Sequence, residues 1–395
     1  MQLSVLRQKI QADWKQYTLY GTLLAVFALM LSFRLGSLLP GLSVQEIHTL
    51  QSSGVHHLLQ NPVNAPYYLL LRALMGINPD YLLWGRVVSV VCATLALALF
   101  GGLVWYWHGR RNAILGTILF GTSAWFLHSG RWGTPDVLLF FILALIACYL
   151  WLHTTKQGSA LIAAFILTAV ALYIPGLVWF VVVGVLLRWR SVDQAFRKNL
   201  LAVSIGAVIL LLAVTPLGLA MYNHPDIAKA IAGLPTTGWP NPLTVAHELL
   251  RIPYHLFWHG QVEPERWLGN VAIIDAFTAA MVVLGSYLYL RHIRLKRAQL
   301  SLAIIIVGAV LASLGGSVSL TLLLPFVYII AAAGIGFMLD RWLEVFPRNS
   351  LAQWAGYILV GLAVMSACIY SLDHYFIAWP QATATRSVYT QHRLP

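Results

Sequence analysis

Runs of apolar residues about as long as a bilayer is thick recur from one end of this chain to the other. A hydrocarbon core of about 30 Å takes about 20 apolar residues per helix, and a helix in lipid satisfies its own backbone. Eleven such runs are read at about 17–34, 80–107, 112–128, 135–153, 159–174, 176–188, 199–221, 270–290, 299–314, 318–339 and 352–371. The fifth and sixth are short and divided by Pro175-Gly176, which predicts a tight helical hairpin. Of the 395 residues, 59% are hydrophobic and 10% charged, more apolar sequence than a soluble surface tolerates. Fifteen Trp and seventeen Tyr suit two interfacial aromatic belts. Cys92, Cys148 and Cys368 all lie in apolar segments, so no disulfide framework or Cys metal cluster is implied. The expected class is an all-α polytopic membrane protein of about eleven transmembrane helices, with 1–395 as a single membrane-embedded domain.

Charge sets the expected orientation. Arg7, Lys9 and Lys15 precede the first run, and Arg110-Arg111, Lys156, Arg188, Arg190, Arg197 and Lys198 follow at every second boundary. Arg291, Arg294, Lys296, Arg297, Arg341 and Arg348 complete the series. On that side these sixteen basic residues meet only Asp13, Asp193, Asp340 and Glu344, so its surplus equals the whole formal charge of +12. The high pI therefore reports topology, and nucleic acid is not an expected partner. The N-terminus is expected inside the cytoplasmic membrane and the C-terminus outside. No small-residue cleavage pattern follows the first apolar run, which reads as an anchor. The three longer polar pieces, 35–79, 222–269 and the tail 372–395, then lie on the outer face, where function is to be sought.

Two carboxylates stand at that face, Glu46 in Leu42-Ser43-Val44-Gln45-Glu46-Ile47-His48 and Asp136 in Arg131-Trp132-Gly133-Thr134-Pro135-Asp136. Each has a purely structural reading. Ser43-x-x-Glu46 is a capping box, and Thr134 would cap a helix whose first turn holds Pro135 and Asp136. Each also has a catalytic one, as acids placed for chemistry on a lipid-borne substrate. The first outer piece predicts two helices lying on the membrane surface, 44–53 and 65–76, the second capped by Asn64 with Pro66 in its first turn. In 222–269, His255 and His259 share a helix face as a metal pair would, but with no clear third ligand the interfacial reading is preferred. Residues 243–258 are expected to lie on the membrane with Leu249, Leu250, Leu256 and Phe257 down.

The order of these landmarks resembles the glycosyltransferase C superfamily, in the branch related to protein O-mannosyltransferases and aminoarabinose transferases. An acidic pair after the first span looks like Gln45-Glu46, and a Pro-aromatic segment like Ala65-Pro66-Tyr67-Tyr68. An Arg opening the second span looks like Arg86 in Trp84-Gly85-Arg86, and an Arg-acid segment before the fourth like Arg131 with Asp136. Gly260-Gln261 through Arg266-Trp267-Leu268-Gly269-Asn270 to Asp275 is similar to the family's late outer segment. Leu324-Pro325-Phe326 with Ala331-Ala332-Ala333-Gly334 resembles its penultimate region. Two positions depart from that pattern. The family's first acid is Gln45 here, and an amide accepts no proton at neutral pH. The Arg that the family tends to place shortly before the late proline falls in Ser319-Leu320-Thr321-Leu322-Leu323-Leu324.

The resemblance implies an inverting transfer: a sugar leaves a polyprenyl-phosphate carrier for an acceptor on a lipid, glycan or protein. Nucleotide sugars, made in the cytosol, do not reach acids on the outer face. Such an enzyme needs a base for the acceptor hydroxyl and cations for the departing phosphate. Glu46 is the candidate base and Asp136 an acceptor-positioning or metal-binding partner, a divalent metal being an open possibility. Arg131 and Arg86 are phosphate candidates, since an Arg fork donates two hydrogen bonds, though each also reads as a residue snorkelling to headgroups. Gln45, His48, Tyr67 and Trp239 are candidates for acceptor or sugar contacts; Trp239, Trp258 and Trp267 also read as belt residues. The rival functions are a non-catalytic glycan-lipid-binding or assembly subunit, which Gln45 favours, and a lipid-linked glycan transporter. The transporter needs a polar path, and the apolar runs hold almost no ionisable residue away from their ends.

Overall fold

The structure is a computed structural model that describes residues 18–78, 81–155, 157–187, 189–236, 238–260, 263–266 and 271–391. Among the described residues it is all-helical, apart from one antiparallel bridge between Leu42 and Gln391. The helices are α1 Thr18–Ser32, α2 Val44–Ser52, α3 Val55–Gln60, α4 Ala65–Met75 and α5 Trp84–His108. Then come α6 Arg110–Thr122, α7 Ala124–Arg131, α8 Ile142–Thr155, α9 Gly158–Ala171, α10 Leu177–Leu187 and α11 Trp189–Lys198. They are followed by α12 Leu200–Asn223, α13 Asp226–Ile231, α14 Pro242–Phe257, α15 Ala276–Arg291, α16 Lys296–Ser313, α17 Leu324–Val345 and α18 Ser350–Asp373. A π turn, His374–Ala378, leads into α19 Trp379–Gln381 and α20 Thr383–Val388.

Among the described residues, six segments are long and apolar enough to cross a membrane: α5, Pro135–Thr155, α12, α16, Leu320–Val345 and Ser350–Gln381. Shorter apolar helices are α1, α9, α10 and α15. The run read at 112–128 is divided into α6 and α7 at Ser123, whose Oγ accepts from the Phe126 N–H and so caps α7. The chain turns at Pro175-Gly176, with Gly176 at φ +76° and its N–H donating to the Ile231 carbonyl at 2.8 Å, but α9 packs chiefly against α12 and α8 and scarcely against α10, so no tight hairpin results. The sequence predicts a span over 270–290, but α15 starts only at Ala276, where the Asp275 side chain caps it by accepting from the Thr278 N–H at 2.9 Å.

The core centres on α17, whose residues Leu324–Gly336 are all buried. It lies against α15 with glycines facing carbonyls: a Cβ on Gly285 would run into the Ile330 oxygen, and one on Gly334 into the Met281 oxygen. Small residues of this kind let two apolar helices approach where lipid gives no hydrophobic drive.

Three short helices, α2, α3 and α4, bridge α1 and α5 where the sequence predicts two. Pro66 sits in the first turn of α4 as expected. Asn64 holds the N-cap position but makes no side-chain cap; it turns the chain through a left-handed φ of 59°. Thr134 likewise makes no side-chain cap, and the segment it precedes, Pro135–Phe141, is a 3-10 helix.

Candidate functional site

The capping box at Ser43 forms, with the Ser43 N–H donating to Glu46 Oε2 at 3.0 Å and the Glu46 N–H to Ser43 Oγ at 3.3 Å. Capping is a small part of what Glu46 does. Arg86 Nε donates to Oε1 at 2.7 Å and Nη2 to Oε2 at 2.9 Å. The Gly133 N–H donates to Oε1 at 3.0 Å. Arg86 also reaches the carbonyls of Leu35 and Gly41 at 2.8 and 2.9 Å. With Glu46 only 2% exposed and Arg86 4%, this is a buried bidentate pair with its hydrogen bonds filled. It ties the first loop, the start of α5 and the turn before Asp136 into one block.

Behind the pair, Gly85 and Gly133 pass so closely that a Cβ on Gly85 would sit 3.1 Å from the Gly133 oxygen. Tyr67 seals the same junction, donating to the Gly85 carbonyl at 2.7 Å with Ser89 Oγ 3.0 Å away. Burial pushes the Tyr67 phenol well above its ordinary pKa. Tyr67 therefore packs this junction and does not reach the cavity described next.

The other face of α2 is different. Gln45, His48 and Thr49, one, three and four residues apart in helical order, look into a cavity of about 390 Å³. Asn64, Tyr68, Pro135, Asp136, Arg266 and Ser317 complete much of its wall. Asp136 Oδ2 accepts from Ser319 Oγ at 3.1 Å and lies 3.8 Å from Arg266 Nη1. Its side chain is 17% exposed and that of Arg266 21%, so both are anchored and both are open to a ligand. Tyr68 is buried enough that its phenol is raised above the ordinary pKa, despite an opposing hydrogen bond with Ser52. It therefore presents a neutral hydroxyl.

Arg266 is held from three directions. Its guanidinium stacks over the Trp132 ring at 4.8 Å and lies 3.6 Å from Glu263 Oε2. The short turn that carries it is pinned from the C-terminal segment, where Trp379 Nε1 donates to the Pro264 carbonyl at 3.3 Å and the Tyr389 hydroxyl to the Glu265 carbonyl at 2.6 Å. Sequence reasoning gave Arg266 no role of its own. The only signal was its place inside Gly260–Asn270, the stretch that resembles the family's late outer segment. Gln261, Trp267, Leu268, Gly269 and Asn270 of that stretch lie outside the described residues.

The structure brings Gln45, His48 and Asp136 to one cavity and directs the remaining candidates elsewhere. Arg131 is 4% exposed, donates to the Met30 carbonyl at 3.1 Å and faces the Tyr375 and Phe376 rings at 5.5 and 5.0 Å. Arg86 and Arg131 do share a void with Glu46, but at about 10 Å³ it has room for little more than a water. Trp239 is 74% exposed and outside the Asp136 cavity. His255 Nδ1 is 2.9 Å from the His259 carbonyl, a backbone contact in place of a shared metal. Among the described residues no three His, Cys, Asp or Glu side chains converge as metal ligands. Asp136, with a guanidinium as its charge partner, is not arranged for a divalent cation, and no step is derived through one.

No family model matches the sequence, and no curated protein matches it. Solved structures do. The chain matches the crystal structure of ArnT from Cupriavidus metallidurans in the apo state with a TM-score of 0.53 and 13% identity, over 94% of this chain and 77% of that one. It matches ArnT from Cupriavidus metallidurans bound to undecaprenyl phosphate with a TM-score of 0.51 and 11% identity, over the same shares. At such identities the likeness is one of architecture. It runs through almost the whole chain, which shares the helical fold of these ArnT structures.

Proposed function

We propose that this protein transfers a sugar from a polyprenyl-phosphate donor to an acceptor hydroxyl in the Asp136 cavity, on the outer face of the cytoplasmic membrane. The reading includes the eleven-span topology with the N-terminus inside and the C-terminus outside. One observation carries it: a partly open carboxylate and a partly open guanidinium, Asp136 and Arg266, share one wall of a ligand-sized cavity. The undecaprenyl phosphate held by one of the similar structures supports the donor class.

Asp136 takes the proton of the acceptor hydroxyl as its oxygen bonds to the anomeric carbon. The bond from that carbon to the carrier phosphate breaks, and the phosphate leaves with the electron pair. Arg266 meets the charge that builds on it, in a site where Trp132 keeps the guanidinium oriented. A single displacement of this kind inverts the anomeric centre. Gln45, His48 and Tyr68 offer hydrogen-bonding groups for sugar or acceptor hydroxyls. Glu46 and Arg86 serve as the buried lock on which α2 and the Gly133 turn are set, and the base role passes from Glu46 to Asp136.

A second reading, a glycan-lipid-binding subunit without turnover, is favoured by Gln45, an amide where the resemblance expects an acid. Purified protein incubated with labelled polyprenyl-phosphate sugars and a membrane extract separates the two. Label transferred to an acceptor, with free polyprenyl phosphate released, supports transfer. Donor bound without turnover supports the second reading.

A further inference from the structure

The opposite end of the bundle holds a cavity that the transfer reaction does not use. Arg86 and Trp107 stand near the two ends of α5, and their separation of 21 positions puts about 32 Å between the ion pair and this second cavity. Its volume is about 270 Å³, and its walls are apolar side chains of α8, α9, α10, α11 and α16, among them Ile146, Phe165, Phe180 and Phe196. Its mouth is basic: Lys296 and Arg297 open α16 there, and no Asp or Glu lines it. Arg297 donates to the Trp107 carbonyl, whereas Lys296 is exposed and, among the described residues, has no partner.

The slot also divides the hydrophobic interior. Leu152, Ala160, Leu161, Ala195 and Ala202 form a buried cluster separate from the main core. Leu152 and Leu161 line the slot on one side, while Ile142 and Ile304 of the main core line it on the other. Protein interiors are close-packed and leave few voids of this size, and an apolar one holds no water. Beside it α11 carries exposed Arg190 and Lys198 next to its slot-lining Val192 and Phe196, the pattern of a helix lying on an anionic lipid surface.

We propose that this slot binds one hydrocarbon chain of an anionic phospholipid whose phosphate is held by Lys296 and Arg297, and that the chain joins the satellite cluster to the main core. Charge selects the headgroup: a cationic rim with no acid in the slot lining, the nearby Asp193 being paired with Arg197, favours a phospholipid of net negative charge over a zwitterionic one. The inference stands apart from the transfer reaction and is independent of it.

The test is thermal unfolding of the delipidated protein in detergent, with phosphatidylglycerol or phosphatidylcholine of matched chains. At about 100-fold excess over Kd, phosphatidylglycerol is expected to raise the midpoint by about 5 °C, and phosphatidylcholine to leave it nearly unmoved. Gly184 borders the slot, and a Cβ there meets open space. Gly184→Phe should fill the slot, remove the shift and leave lipid-free stability equal or higher. Lys296→Glu, at an exposed position that does not threaten folding, should weaken the phosphatidylglycerol response at least tenfold in concentration. An equal shift from the two phospholipids, or an undiminished response in Lys296→Glu or in folded Gly184→Phe, would each overturn the proposal.

Discussion

Arg86 grips both carboxylate oxygens of Glu46, at 2.7 and 2.9 Å, in a pocket that leaves the two side chains almost no contact with solvent. A charge so enclosed is costly to leave alone. Glu46→Gln should therefore destabilise the protein by about 3–5 kcal/mol, because it strands a buried guanidinium. Glu46→Gln with Arg86→Met should recover part of that loss. Unfolding of the purified variants measures both, and a Glu46→Gln protein of normal stability with turnover down about 10²-fold would return the base role to Glu46.

Asp136→Asn keeps an acceptor for Ser319 and removes the proton acceptor. It is expected to lower turnover by about 10²–10⁴-fold with donor affinity and unfolding nearly unchanged. Adding Gln45→Asp alone to the native protein, which restores the acid the resemblance expects, should preserve or raise activity. Single-turnover kinetics on saturated donor decide between these effects and a loss of binding.

Arg266→Ala should weaken donor binding by about 10–100-fold, the worth of a hydrogen bond to a charged group. Arg266→Lys should recover only part of this, since an ammonium lacks both the fork and the flat face that lies on Trp132. Binding of a polyprenyl phosphate without its sugar is the cleanest readout. Equal affinities in all three proteins would remove Arg266 from the phosphate site.

Tyr67 and Tyr389 both have phenols raised well above the ordinary range by burial. The folded state therefore keeps two protons that the unfolded chain releases near pH 10. Below that pH their contribution to stability is fully present, and it falls as pH rises through and beyond it. Tyr67→Phe should flatten the alkaline limb of stability against pH, read by denaturant unfolding in steps from pH 8 to about pH 11.

The bundle was legible because apolar run length is a local property, and so was the turn at Pro175-Gly176, though not which helices pack on either side of it. The break at Ser123 was not, since a serine inside an apolar run looks the same whether or not it caps. Helix α3 escaped for the opposite reason: Val55–Gln60 has no buried residue to give it a period. Glu46 and Asp136 were both found, but not their separation into a sealed pair and an open cavity. That division depends on which way α2 is rotated, and rotation is fixed by Arg86 and Gly133, far along the chain. Arg266 could not be singled out, because its meeting with Asp136 is tertiary and its own segment carries no helical or strand period.

The bridge between Leu42 and Gln391 joins the segment just before α2 to the last described residue, and the same C-terminal segment pins the turn of Arg266. Contacts of such long sequence separation form late, after the loop between them has been closed. The cavity is consequently expected to be completed only once the C-terminal segment has docked. Every helix between must be in place before Arg266 faces Asp136, so a partly inserted chain holds the pieces of the site without the site itself.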